Sequence, residues 1–300
     1  MLIDNFIKYL RYEKNYSSHT EISYFNDLTQ FKSFIENEAQ NQGEDIKITD
    51  IDNDLIRRWI AQLMEQHLKP RSVRRKLSAL NSFYKYLIKI GVVTKNQAKL
   101  VSGPKLDKKL PVFVKNKDLE FIINDENEFT DDFEGHRNRF LIDFFYVTGM
   151  RKAELIGLKD EDVDFNSKTI RVTGKGNKQR LIPISDETLD HLSEYITLRN
   201  KEIKNKSIAL FVKKNGNPLD HKLVYDIVHK HLSRIPTLSK KSPHVLRHSF
   251  ATEMLNNGAE INAVKEILGH QSLASTEVYT HVSLEELKNI YQNAHPRAKK

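Results

Sequence analysis

The chain has 300 residues, 39% apolar and 29% charged, with 11 Gly and 8 Pro, which excludes collagen-like, low-complexity and disordered classes and, at about 100–200 residues per domain, predicts two domains. There is no Cys, so disulfides, a thiol nucleophile and Cys-ligated zinc or iron–sulfur centres are excluded. The net charge of +8 favours a polyanionic partner, and with no apolar run near the ~18 residues of a membrane span, and Asp4, Lys8 and Arg11 where a signal peptide would be apolar, a cytoplasmic location is expected.

The first hundred residues read as four helices. Asp4 is expected to cap a first helix through Tyr12, and Ser18 with Glu21 has the capping-box spacing for a second (Ile22, Phe25, Leu28, Phe31, Phe34, Ile35) reaching about Gln42. After a polar loop, Asp52 or Asn53 opens a third helix (Leu55, Trp59, Ile60, Leu63) that stops before Pro70. A fourth runs from Arg71 to Gly91, and four helices of this length suit a small bundle.

Charge is unevenly spread over this region. Residues 1 to 56 carry 5 basic and 11 acidic side chains, whereas residues 57 to 105 carry 12 basic and a single acidic one, Glu65. On the fourth helix Arg71, Arg74, Arg75, Ser78, Ser82, Lys85 and Lys89 fall within an arc of about 100°. Val73, Leu77, Leu80, Tyr84 and Leu87 fall opposite. An ordinary solvated face mixes signs for pairing one turn apart, but this one has no carboxylate of its own and two small serines at its centre. It is therefore read as a face for double-stranded DNA, with a solvated helix as the alternative.

From Gly91 to Pro111 the pattern lapses into a polar, basic linker, placed at 101–111 between a domain of residues 1–100 and a second of 112–300. The second domain is expected to be mostly helical with a small sheet. Helical patterns lie at about 116–125, 136–148, from Lys152, and at about 186–204, 220–234, 244–257, 261–268, 273–280 and 284–293. Thr169 to Thr173 and Arg180 to Ile184 are strands of a hairpin around GKGNK, residues 174 to 178.

Several short motifs carry candidate chemistry. In HVLRH, His244 and Arg247 are one turn apart at a helix start, where an imidazole, a guanidinium and the helix N-terminus can converge on a phosphate. The metal alternative, His244 with His248, lacks the Glu of a zincin and has Arg247 to repel a cation. TGMRKAEL places Arg151 after a glycine turn at a helix start, and the GKGNK hairpin tip holds Lys175 between two glycines. LGHQSLASTEVYTHV offers His270 after Gly269, and Tyr279 among polar neighbours. Each of these could be a plain surface side chain. Together they supply cationic donors, proton-transfer groups and a nucleophile, as attack on a phosphodiester requires, with no metal set and no paired carboxylates.

In order and spacing, Arg151, Lys175, His244, Arg247, His270 and Tyr279 resemble the site of the tyrosine recombinase (phage integrase) family. The opening IDNFIKYLRYEKNYSSHT and the ending NAHPRAKK are similar to those of its Xer members. Met150, Lys152 and Ala153 depart from the family's usual residues beside Arg151. The resemblance implies a SAM-like core-binding domain followed by a mostly helical catalytic domain with a small β-sheet, the two clamping a duplex. It implies that Tyr279 attacks the scissile phosphate to give a 3′-phosphotyrosyl link. Arg151, Arg247 and His270 would hold the phosphate, Lys175 would protonate the leaving 5′-oxygen, and His244 would serve as acid and base. Glu154 would be a structural partner. Neither a nucleotide cofactor nor a divalent metal is implied. The expected assembly is a tetramer on two DNA sites, with itself or with a second Xer recombinase, and a DNA translocase as a further partner. The implied role is chromosome or plasmid dimer resolution; an integrase of a mobile element, a non-cleaving DNA-binding protein and a histidine-metal hydrolase are the rivals.

Overall fold

The structure, a computed structural model, describes residues 1–43, 45–106, 112–205, 207–269 and 283–298, which fall into two compact units, Met1–Lys109 and Leu110–Lys300. In the first unit α1 (Leu2–Tyr12), α2 (Ser18–Gln42), α3 (Asn53–Glu65) and α4 (Pro70–Lys89) pack around one core. Its centre is aromatic: Phe31 lies on Trp59 with ring centroids 4.6 Å apart, and Phe6 meets Phe83 edge-on at 5.4 Å. The predicted stripe of α4 (Val73, Leu77, Leu80, Tyr84 and Leu87) is buried. Asp52 caps α3 by accepting from the Leu55 N–H at 2.7 Å, and Pro70 occupies the first position of α4, where its missing N–H costs nothing.

Four local expectations are corrected. Asp4 lies inside the first turn of α1 and pairs with the N-terminal amine at 2.9 Å instead of capping. The cap of α2 is Ser17, which accepts from the Thr20 N–H, because Glu21 is drawn away to Arg11 at 2.6 Å. That shift turns α2: Glu21 and Asp27, satisfied by basic partners, go inward, while Ile22 and Phe25, expected on the apolar face, are 59% and 41% exposed. Nor does the chain run free from Gly91. Residues Gln97–Leu100 form a 3₁₀ turn capped by Asn96, and Ala98 and Val101 are buried in the first core.

The second unit contains α5 (Asn116–Asn124), α6 (Phe133–Thr148), α7 (Lys152–Ile156), β1 (Val163–Asp164), β2 (Thr169–Thr173), β3 (Gln179–Pro183), α8 (Asp186–Glu202), α9 (His221–Leu232), α10 (Pro243–Asn256), α11 (Ile261–Leu268) and α12 (Leu284–Ala294). The short β1, which sequence periodicity did not reveal, completes an antiparallel sheet of order β1-β2-β3 in which Ile170 faces Ile182 and Val172 faces Arg180. Helix α6 is the spine. Every residue from Phe140 to Thr148 is buried, since α8 and α10 both cover it. The helix ends at Gly149, whose φ is +58°. A Cβ there would lie 2.6 Å from Phe250 and 2.9 Å from Leu268, so glycine alone permits the close approach of α6, α10 and α11. The helix expected at about 273–280 lies outside the described residues.

Candidate active site

The glycine turn after α6 brings Arg151 to the N-cap of α7, facing the C-terminal end of α11. The last carbonyls of a helix have no partner within it, and here they are met by arginines. Arg247, on α10, is 8% exposed and donates through Nη1 to the Gly149 carbonyl at 2.8 Å and through Nη2 to the Leu268 carbonyl at 2.7 Å. Arg151 Nη2 donates to the Gly269 carbonyl at 3.1 Å, and its Nη1 to Glu154 Oε1 at 2.8 Å. A third guanidinium, Arg180 on β3, donates from Nε to the Ile267 carbonyl at 2.7 Å and forks onto Glu154 at 3.0 and 2.8 Å.

The buried Glu154 is thus shared. It accepts the Arg151 backbone N–H at 2.7 Å, capping α7, together with both guanidiniums. Burial pushes its carboxyl up, but the hydrogen bonds and charge of Arg180 and Arg151 outweigh this and hold it below the usual carboxylate range. Among the described residues one carboxylate does not balance three arginines. Burial, with Arg151 as the next cause, pulls Arg247 down to about 10. A bound anion would relieve that excess, and a phosphate diester carries the charge and oxygens to do so.

Sequence reasoning placed Arg151 and Arg247, and both converge on the Leu268 carbonyl, Arg151 more distantly at 3.5 Å. His244 stands exposed on the first turn of α10, and among the described residues no hydrogen bond joins it to the arginines. Lys175 is placed by its backbone in a 3₁₀ turn, Lys175–Asn177, at the tip of the β2–β3 hairpin. His270 and Tyr279 lie outside the described residues. Arg180 was missed as a site residue. Its signal was a charge two residues from Ile182 and therefore on the inward face of β3.

The basic face of α4 is corrected in part. Although α4 has no carboxylate there, its neighbours bring two. Arg75 pairs with the buried Asp27, Nη2 to Oδ1 at 3.0 Å, and Lys76 reaches the same oxygen at 2.9 Å. Lys89 binds Glu13 at 2.7 Å and lies over the Tyr9 ring. The Ser78 hydroxyl is turned back to the Arg74 carbonyl at 2.9 Å. Arg71, Arg74 and Lys85 are exposed with no ion pair among the described residues, and Ser82 is half-buried.

Residues 113–286 match the family model for the phage integrase family, and residues 3–91 that for the phage integrase N-terminal SAM-like domain. The chain is 37% identical over 299 residues to a tyrosine recombinase XerC of Anoxybacillus flavithermus, covering 98% of this chain and 97% of the relative. It is 36% identical to that of Bacillus subtilis, covering 98% and 95%. Among solved structures, XerH site-specific recombinase bound to a palindromic difH substrate superposes with a TM-score of 0.71 at 23% identity, over 96% of this chain and 83% of that one. The Tn1549 transposon integrase superposes with 0.69 at 21%, over 96% and 98%; both likenesses show the fold. The chain belongs to the phage integrase family of tyrosine recombinases.

Proposed function

We propose that the protein exchanges DNA strands at a specific site in the manner of Xer recombinases, resolving chromosome or plasmid dimers in the cytoplasm. The observation that carries this reading is the cluster of Arg151, Arg180 and Arg247 around the end of α11, with Glu154 as its one carboxylate among the described residues. Arg151 and Arg247 hold the non-bridging oxygens of the scissile phosphate, with His270 as a further donor. The Tyr279 oxygen attacks phosphorus as His244 takes its proton. The bond to the 5′-oxygen breaks, and Lys175 protonates that oxygen as it leaves. The phosphodiester is exchanged for a phosphotyrosyl ester. Attack by the 5′-hydroxyl of the partner strand then reverses each proton transfer and releases the tyrosine.

Full-length similarity to proteins named XerC supports the Xer assignment. The partner is a double-stranded recombination site, held in a tetramer on two DNA sites by this chain alone or with a second Xer recombinase, with a DNA translocase as a further partner. A nicked suicide duplex carrying the near-palindromic host site tests the reading. In EDTA the wild type should form an SDS-resistant adduct, and Tyr279→Phe should bind the duplex equally but form none. An adduct with the phenylalanine variant would refute the nucleophile.

A further inference from the structure

Among the described residues Arg180 makes three hydrogen bonds, and all of them tie its strand to the arginine cluster. It is 11% exposed, and Arg151 and Arg247 already supply phosphate donors. Its place in the chain gives it a different task. It sits on β3 opposite Val172, one residue into the strand that leads away from the Lys175 turn. The turn also begins beside the same ion pair, since a Cβ added to Gly174 would lie 3.5 Å from Glu154 Oε1 and 3.9 Å from Arg180 Nη1.

We propose that Arg180 is a positioning residue that holds the Lys175 hairpin against the phosphate site through its fork on Glu154 and its bond to the Ile267 carbonyl. The assignment rests on the recombinase reading, with Lys175 as proton donor to the leaving oxygen. The two sides of the pair respond differently to loss of Arg180. Glu154 would still accept the Arg151 N–H at 2.7 Å and Nη1 at 2.8 Å, and Arg151 would keep the Gly269 carbonyl. The strand carrying the hairpin would lose the three side-chain hydrogen bonds it makes among the described residues, while Ile182 stays packed in the core. The deficit therefore falls on leaving-group protonation, where a displacement of ~1 Å costs about a hundredfold.

Arg180→Gln and Arg180→Lys, with Lys175→Ala as reference, can be compared on two suicide substrates, one with the natural 5′-oxygen and one with a 5′-bridging phosphorothiolate whose sulfur leaves without a proton. Both Arg180 variants should cleave the natural substrate about 10–100-fold more slowly, bind it within about threefold of wild type, and recover on the phosphorothiolate, as is expected of Lys175→Ala. Lysine keeps the charge but cannot fork, so its deficit should be the smaller. Equal loss on both substrates, affinity falling in step with cleavage, or unchanged cleavage would each overturn the assignment. Loss of a cooperative melting transition in both variants would do so as well, by making Arg180 a folding residue. Failure of the recombinase reading itself would look different, because the wild type would then form no adduct on either substrate.

Discussion

The role proposed for Lys175 depends on a proton at one atom, so the bond to the leaving oxygen is its sharpest probe. Lys175→Ala should cleave the natural substrate poorly and the 5′-bridging phosphorothiolate nearly as fast as wild type. Removing general acid catalysis costs about 10²–10⁴-fold only where the leaving group needs the proton. Equal loss on the two substrates would instead make Lys175 a phosphate ligand. Arg151 and Arg247 were legible in the sequence because each follows a helix-start signal, Gly149 in one case and Pro243 in the other. Arg180 was not, since its role needs Glu154 and Ile267, 26 and 87 residues away in sequence, to be brought beside β3.

At the level of the element, α4 shows what a helical wheel can and cannot convey. The apolar stripe was correct because periodicity alone decides which face a helix buries. The opposite face was only half legible, since its carboxylates, Asp27 and Glu13, sit on other helices. The two adjacent arginines consequently separate in their expected effects. Arg74→Ala should weaken binding to any DNA and flatten the slope of log K against log salt by about one unit, with stability unchanged. Arg75→Ala should lower stability by about 1–2 kcal/mol in chemical denaturation. It leaves the buried Asp27 to Lys76 alone, and the half-exposed guanidinium discounts the larger cost of breaking a fully buried pair. Equal stability of the two variants would return Arg75 to the free phosphate contacts. A loss confined to the specific site, about 1–3 kcal/mol, would make Arg74 a base reader.

Across the whole molecule, the four helices of the first unit and the helices and hairpin of the second could be read from caps, periods and turn residues. The angle of α2 and the turn at Gln97–Leu100 could not, because partner charges and burial of Val101 settled them. The second unit closes with His295, fully buried and stacked on Tyr291 with centroids 4.9 Å apart. Burial pushes its imidazole down to about 3. The unfolded chain therefore takes up a proton below about pH 6.5 that the folded chain refuses, and stability falls as pH drops, by at most about 1.4 kcal/mol per pH unit. Between about pH 7 and 5 the melting temperature of the wild type should decline more steeply than that of His295→Phe, which keeps a ring but no titration; parallel profiles would contradict this. Covalent catalysis by the tyrosine is the central claim, and mass spectrometry of the trapped adduct tests it most directly. After nuclease and trypsin digestion, the peptide from Glu266 to Lys288 should carry the 3′-nucleotide on Tyr279. A nucleotide on Ser275, Thr276 or any residue outside that peptide would contradict the account.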